Sequence, residues 1–338
     1  MTTPPTRIAV LGVGRIGKMH AELISRQVPD AQVAGVFDIN EKAAANVAAS
    51  LGVLHATDPR TLIESENVDA IAICTSTDTH IDYIHAAAKA GKAIFCEKPV
   101  SMDLGQVDGA LAAATAAGVP LHIGFNRRFD PAHRSVRDAV SNGVLGEVNL
   151  VRITSRDPAP PPIEYIRVSG GIFLDMTIHD FDMARYVAGS EVEEVTAHGA
   201  VLVDPAIGAA GDLDTVVVVL KHANGALTTI DNSRRAVYGY DQRVEAFGSL
   251  GMAQSENPPS YTGRISASTG VSTPNIPYFF LERYIPSYVA QWESFVRALR
   301  NGTPTEVSGA DGRAPLVLGL AALRSVAERR TVKTSEIG

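Results

Sequence analysis

The chain has 338 residues, with 30 Lys and Arg against 37 Asp and Glu, giving a formal net charge of −7. At roughly 150 residues per domain this length points to two domains with a substantial core, and 45 % hydrophobic with 20 % charged residues is the make-up of an ordinary soluble globular chain. A negative total with no long Lys/Arg block excludes nucleic acid or an anionic membrane as the main partner, and no apolar run reaches the ~18 residues that a membrane span needs. The expected ligand is a small molecule.

Met1-Thr2-Thr3-Pro4-Pro5-Thr6-Arg7 carries no signal-peptide pattern, so the expected address is cytoplasmic. From there, buried-type strands and helical patterns alternate. Strands are expected at 7–12, 32–38, 69–75, 93–97 and 121–125, and helices at 16–27, 41–51, 79–90 and 103–117. Such alternation predicts a doubly wound parallel sheet with helices on both faces, an α/β Rossmann domain over residues 1–125. Cys74 and Cys96 lie in its apolar runs without CxxC or Cys/His metal spacing, and read as reduced core thiols.

After Asn126 the pattern changes. A helix at 131–141 is followed by a strand at 147–155, a Pro-rich loop at 158–162 and one helix from Gly171 to Gly189. Strands are then expected at 192–203, 215–221, 226–232 and 242–247, with Asn224-Gly225 as a hairpin turn between the middle pair. Helices at 282–301 and 311–329 end the chain. Residues 126–338 are therefore expected to form an α+β domain whose large open sheet is mostly antiparallel. Ser255–Pro277, rich in Ser, Gly, Pro and Thr, is the longest irregular stretch and a candidate mobile loop.

Gly12-Val13-Gly14-Arg15-Ile16-Gly17 is a GxGxxG run between the first strand and the first helix, where a dinucleotide fingerprint belongs. Gly12 allows the tight turn, Gly14 the approach of a pyrophosphate, and Gly17 the packing of helix on strand. Asp38 ends the second strand, either as acceptor for the adenosine ribose hydroxyls or as N-cap of the helix that begins at Glu41. Its charge would repel a 2′-phosphate and Ile39-Asn40 supplies no cation, so NAD is expected rather than NADP. Thr75 and Ser76, at the polar exit of the third strand, are expected cofactor contacts; His80 is a contact or a structural histidine. Glu97-Lys98-Pro99 places an acid and an amine at the next carboxyl end.

Within Gly170–Tyr186, Asp175, His179 and Asp182 recur at i, i+4 and i+7, which would put them on one face of a largely buried helix. Such a stripe is either a proton-transfer site or a His satisfied between two acids. A metal site is not expected, since no third His or Cys stands at a helpful spacing.

These residues carry a family resemblance. The glycine run with His20, Glu97-Lys98-Pro99, Gly124-Phe125-Asn126-Arg127-Arg128-Phe129-Asp130-Pro131, and Gly170-Gly171 with Asp175, His179 and Asp182 resemble the glucose–fructose oxidoreductase/inositol dehydrogenase/rhizopine catabolism (Gfo/Idh/MocA) family over nearly the whole chain. Thr154-Ser155-Arg156-Asp157-Pro158, Asn232-Ser233-Arg234-Arg235 and Tyr238-Gly239-Tyr240-Asp241 are similar to its NAD-dependent, inositol-oxidising members. The resemblance implies a catalytic Lys-Asp-His set at Lys98, Asp175 and His179, and a tetramer assembled through the open sheet. It also implies oxidation of the axial hydroxyl of myo-inositol to 2-keto-myo-inositol (scyllo-inosose). Arg127, Asp157 and Tyr240 are the expected partners of the other hydroxyls. Another inositol isomer or a pyranose is the same-class alternative, and a non-catalytic NAD and sugar sensor the alternative from another class.

Overall fold

In the first third of the chain short apolar strands alternate with helices, as β1 (Thr6–Leu11), α1 (Arg15–Gln27), β2 (Ala31–Phe37), α2 (Glu41–Leu51), β3 (Leu54–Ala56), α3 (Arg60–Ile63), β4 (Ala70–Ile73), α4 (His80–Lys89), β5 (Ala93–Cys96), α5 (Leu104–Ala116) and β6 (Leu121–Ile123). The structure is a computed structural model and describes residues 4–338; Met1, Thr2 and Thr3 of the expected leader-free start lie outside the described residues. The six strands form one parallel sheet in the order β3-β2-β1-β4-β5-β6. Every residue of β4 and β5 is buried, as expected of strands covered on both faces. Local chemistry sets the helix limits. The Asn40 side chain accepts from Ala43 N at the start of α2, which ends on Gly52 in the left-handed region, and the Asp103 side chain caps α5.

The chain divides into two compact units, and the division is not linear. The first holds residues up to Asn126 together with Tyr288–Ala314; the second holds Arg127–Ser287 and Pro315–Gly338. Residues 288–314, which the linear reading assigns to the second domain, belong to the first because their apolar side chains complete its core. Trp292, Phe295 and Val296 pack with Ile8, Val10, Ala72 and Phe95, and the Trp292 ring stacks on Phe95 at 4.3 Å between centroids. Both cysteines are free thiols, and burial pushes their pKa values well above the usual range.

The second unit begins with α6 (Pro131–Ser141), capped by the Asp130 carboxylate with Pro131 in its first turn. There follow β7 (Val148–Arg156), α7 (Ile163–Ile166), α8 (Gly171–Asp175), α9 (Ile178–Ala188), β8 (Val192–Ala200), α10 (Pro205–Ala209), β9 (Thr215–His222), β10 (Leu227–Ser233), β11 (Asp241–Gly248) and β12 (Gly251–Ser255). The short strands β13 (Ile265–Ala267) and β14 (Gly270–Ser272) pair as a separate hairpin inside the Ser255–Pro277 stretch, which is therefore not wholly irregular. Helices α11 (Phe280–Asn301) and α12 (Gly309–Glu328) and strand β15 (Val332–Lys333) complete the chain, and the boundary between units crosses both helices.

The seven-stranded sheet runs β12-β11-β7-β10-β9-β8-β15, antiparallel except for the β10–β7 pair. Asn224-Gly225 makes the expected β9–β10 hairpin, with Gly225 at φ +87°. Val216, Val218 and Leu220 of β9 point into a core with Ile230, Val244, Phe173 and Phe181, while the intervening Val217 and Val219 face outward.

The single helix expected from Gly171 to Gly189 is corrected to two, α8 and α9. Thr177 interrupts the ladder. Its N–H bonds back to Ile172 O at 2.9 Å, five residues earlier, and its hydroxyl donates to Asn232 Oδ1 at 2.6 Å. Among the described residues no helix is long and apolar enough to cross a membrane, and no group of three or more His, Cys, Asp or Glu is disposed to hold a metal ion.

Candidate active site

The glycine run forms the turn between β1 and α1. Gly12 has φ +84°, and a Cβ there would lie 2.6 Å from Cys74 O; a Cβ on Gly17 would lie 1.8 Å from Gly12 O. At Gly14, by contrast, a Cβ would meet nothing within 4 Å. No side chain caps α1 and its first turn holds no acid, so its N-terminal N–H groups and partial positive charge are available to a pyrophosphate. Val13 is buried, Ile16 half-buried, and Gly14 and Arg15 exposed. The residues fit a dinucleotide.

Asp38 is tied to this turn. Its carboxylate accepts from Val13 N at 2.7 Å and from Asn40 N at 2.8 Å. Asn40, not Asp38, caps α2, which corrects the capping alternative. Two backbone donors still leave lone pairs on the carboxylate for ribose hydroxyls. Ile39 beside it is 94 % exposed.

At the carboxyl end of β4, Ser76 is exposed and the Thr75 hydroxyl accepts from Thr79 Oγ1 at 2.7 Å. His80 is buried, its Nδ1 2.9 Å from Pro99 O and its Nε2 3.1 Å from Thr75 O. Burial lowers its pKa against the opposing pull of those carbonyls. Glu97 Oε1 lies 2.8 Å from His20 Nε2, and Oε2 accepts from Lys98 N at 3.3 Å. Lys98 is half-buried.

In the second unit, Asp175 is gripped from two sides: the Tyr165 hydroxyl donates to Oδ1 at 2.8 Å and Arg234 Nη1 to Oδ2 at 3.4 Å. Arg234 is fully buried, and its Nη2 also reaches Asp212 Oδ2 at 3.3 Å. His179 is the second residue of α9 and, like Asp175, is half-buried. The expected three-residue stripe is corrected at its third member. Asp182 is buried and takes both hydrogen bonds of the Arg128 guanidinium, so it is a structural anion.

Arg127 is buried in a polar chain. Nη1 donates to Asp180 Oδ1 at 2.7 Å and to Ser155 Oγ at 3.1 Å, and Nη2 to the Tyr240 hydroxyl at 3.3 Å. Asn232 Nδ2 donates to the other Asp180 oxygen at 2.8 Å. Burial raises the Tyr240 phenol above its ordinary pKa, with the Arg127 charge opposing. Asp157 is pushed up to about 6, first by desolvation and then by the Asp175 charge, against Arg234 and Arg127.

Tyr165, Arg234, Asp180 and Asn232 were not singled out as site residues from sequence. One signal was present for Asn232: with Thr228 and Ile230 it occupies the inward phase of β10, where a polar side chain needs a partner. Tyr165 and Arg234 reach Asp175 from segments 10 and 59 residues away, beyond any local pattern.

Residues 6–125 match the profile of an oxidoreductase family with an NAD-binding Rossmann fold, and residues 133–254 match the Gfo/Idh/MocA C-terminal domain. The chain belongs to the Gfo/Idh/MocA family. Relatives in that family include a myo-inositol 2-dehydrogenase of Thermotoga maritima, 52 % identical over 98 % of this chain and 99 % of that one. An inositol 2-dehydrogenase of Rhizobium meliloti is 48 % identical over 96 % and 98 % of the two chains. The crystal structure of a myo-inositol dehydrogenase from Corynebacterium glutamicum superposes with a TM-score of 0.93, at 38 % identity over 97 % of this chain and 98 % of that one. The Gfo/Idh/MocA assignment makes the first unit an NAD-binding domain and the protein an oxidoreductase.

Proposed function

We propose that the protein is an NAD-dependent myo-inositol 2-dehydrogenase, oxidising the axial hydroxyl to give 2-keto-myo-inositol. The observation that carries this reading is 52 % identity, across nearly the full length of both chains, to an enzyme of that name. The oxidation removes a hydride from carbon and a proton from oxygen, so the site needs a base and a cation at the oxygen. His179 takes the proton. Asp175, held by Tyr165 and Arg234, orients the imidazole and stabilises it once charged. Lys98 offsets the negative charge that develops on the substrate oxygen. When bound, NAD accepts the hydride; Gly12–Ile16 cradle its pyrophosphate, Asp38 its ribose, and Thr75, Ser76, His80 and Glu97 shape the nicotinamide end. Arg127, Asp157 and Tyr240 face the remaining hydroxyls, donors and acceptors together.

The protein acts in the cytoplasm, where two free thiols stay reduced, and assembles as a homotetramer. The second reading is supported by the outer face of the seven-stranded sheet, where Val217, Val219, Leu227 and Phe247 are each 41–49 % exposed. The decisive experiment is NADH formation, followed by absorbance, across myo-inositol, scyllo-inositol, glucose, xylose and sorbitol. Highest kcat/KM with myo-inositol is expected. Turnover of another polyol alone would reject the substrate, and tight NAD binding with no turnover of any would make the protein a sensor.

A further inference from the structure

Lys98 has one neighbour on each side, and each is tied to a buried histidine. On the N-terminal side the chain of bonds begins at Trp292, the one tryptophan of the sequence. An indole N–H can only donate, so the 2.8 Å contact from Trp292 Nε1 makes His20 Nδ1 the acceptor. The His20 proton is then on Nε2, which donates to Glu97 Oε1 at 2.8 Å. His20 and Trp292 are both 0 % exposed, and Trp292 is held against Phe95, two residues before Glu97 in the chain. The second Glu97 oxygen takes the N–H of Lys98 itself. There is no slack at Gly124 either, where a Cβ would come within 2.9 Å of the Glu97 carboxyl carbon. On the C-terminal side His80 spans the carbonyls of Pro99 and Thr75, joining the Lys98 segment to the loop after β4.

We propose that Trp292, His20 and His80 are positioning residues for Lys98: two buried histidines, one fixed in its tautomer by an indole, hold the residues on either side of the catalytic amine. The inference rests on the catalytic reading of Lys98 above. None of the three need touch substrate. A cation helps only where charge develops on oxygen, and a displacement of about 1 Å can cost as much as 10²-fold in rate. Glu97, on this view, serves the lysine by being held still.

Five variants and the nitrogen NMR of the wild type test it. Trp292→Phe keeps the ring against Phe95 and removes only the N–H; His20→Leu removes the donor to Glu97, whereas His20→Gln keeps an N–H at the reach of Nε2; His80→Leu releases Pro99. The expected result is a fall in kcat of about tenfold for Trp292→Phe, His20→Leu and His80→Leu. With inositol deuterated at C2 the isotope effect on kcat should rise in the same three, while the NADH Kd stays within about twofold in Trp292→Phe and His20→Leu, and His20→Gln recovers most of kcat. A purely structural role would lower Tm and the NADH-binding fraction but leave kcat per binding site and the isotope effect unchanged, and would overturn the proposal. Nitrogen NMR of the wild-type holoenzyme is independent of variant folding: His20 must be the Nε2–H tautomer, and an Nδ1–H tautomer refutes the chain. Lys98→Ala separates the two readings. If it keeps kcat, the catalytic reading falls and takes the positioning role with it; if it abolishes kcat while Trp292→Phe and His20→Leu do not lower it, only the positioning role falls.

Discussion

Arg128 and Asp182 are joined by two hydrogen bonds, Nε to Oδ2 at 2.8 Å and Nη2 to Oδ1 at 2.6 Å, with both side chains buried. Removing one partner of such a pair leaves an uncompensated charge and costs about 3–5 kcal/mol. Asp182→Ala should therefore lose stability on that scale in urea denaturation, while kcat of the folded fraction changes less than twofold. A large loss of kcat at unchanged stability would return Asp182 to the chemical site.

Asp157 gives a pH signature. Its folded pKa of about 6 stands above the ordinary 3.8, so its contribution to stability is fully present below about pH 4 and is lost as pH rises through 6. Asp157→Asn should raise Tm at pH 8 and leave it nearly unchanged at pH 4, as scanning calorimetry at the two pH values would reveal. The same variant should lower kcat/KM for inositol and flatten its decline below pH 6. An unaltered acid limb would remove Asp157 from substrate binding.

Cofactor choice follows from Asp38. NAD should support a far higher kcat/KM than NADP, and Asp38→Ser with Ile39→Arg should narrow that gap by removing repulsion and adding a phosphate partner. Because Asp38 also accepts from Val13 N, the double variant should bind NAD more weakly as well. Equal kcat/KM for the two cofactors in the wild type would contradict the assignment.

For the proposed catalytic set, Lys98→Ala, Asp175→Ala and His179→Ala should each reduce kcat by about 10² or more, with NAD affinity retained. Tyr165→Phe and Arg234→Met should cost less than Asp175→Ala, since they release the carboxylate without deleting it. Stopped-flow traces would confirm that chemistry limits the rate. A His179→Ala enzyme with wild-type kcat would send the proton elsewhere.

The open sheet face makes a prediction about assembly. If the proposed tetramer forms through this face, Val219→Glu with Phe247→Glu puts charge on an outward apolar surface, and light scattering should then report a smaller species than the wild type. A wild-type monomer would dismiss that face as an interface.

Much of the architecture was legible because its causes are local. Continuous apolar strands such as Ala70–Ile73 and Ala93–Cys96 alternate with capped helices, and that pattern has one common solution, a covered parallel sheet. The glycine turn is local in its backbone, since Gly12 takes φ +84° and Gly17 packs on Gly12 O, although the space at Gly12 is also closed by Cys74, 62 positions on. The split of the 171–189 segment was not legible. Helical periodicity runs through Thr177, and the break is stabilised by Asn232, 55 positions away.

By itself, then, the sequence determined the alternation of elements, the glycine pattern of the dinucleotide turn, the Asn224-Gly225 hairpin and the residue types available for proton transfer, because each is written in the order of residues along the chain. Tertiary structure decided which charges are paired. Asp175 and Asp182 look alike at helical spacing, yet one is presented between Tyr165 and Arg234 and the other is consumed by Arg128. It also decided that Trp292 enters the core of the N-terminal unit and sets the tautomer of His20, 272 positions earlier. A buried polar group must find a partner wherever the fold brings one, and that search is not written in any local pattern.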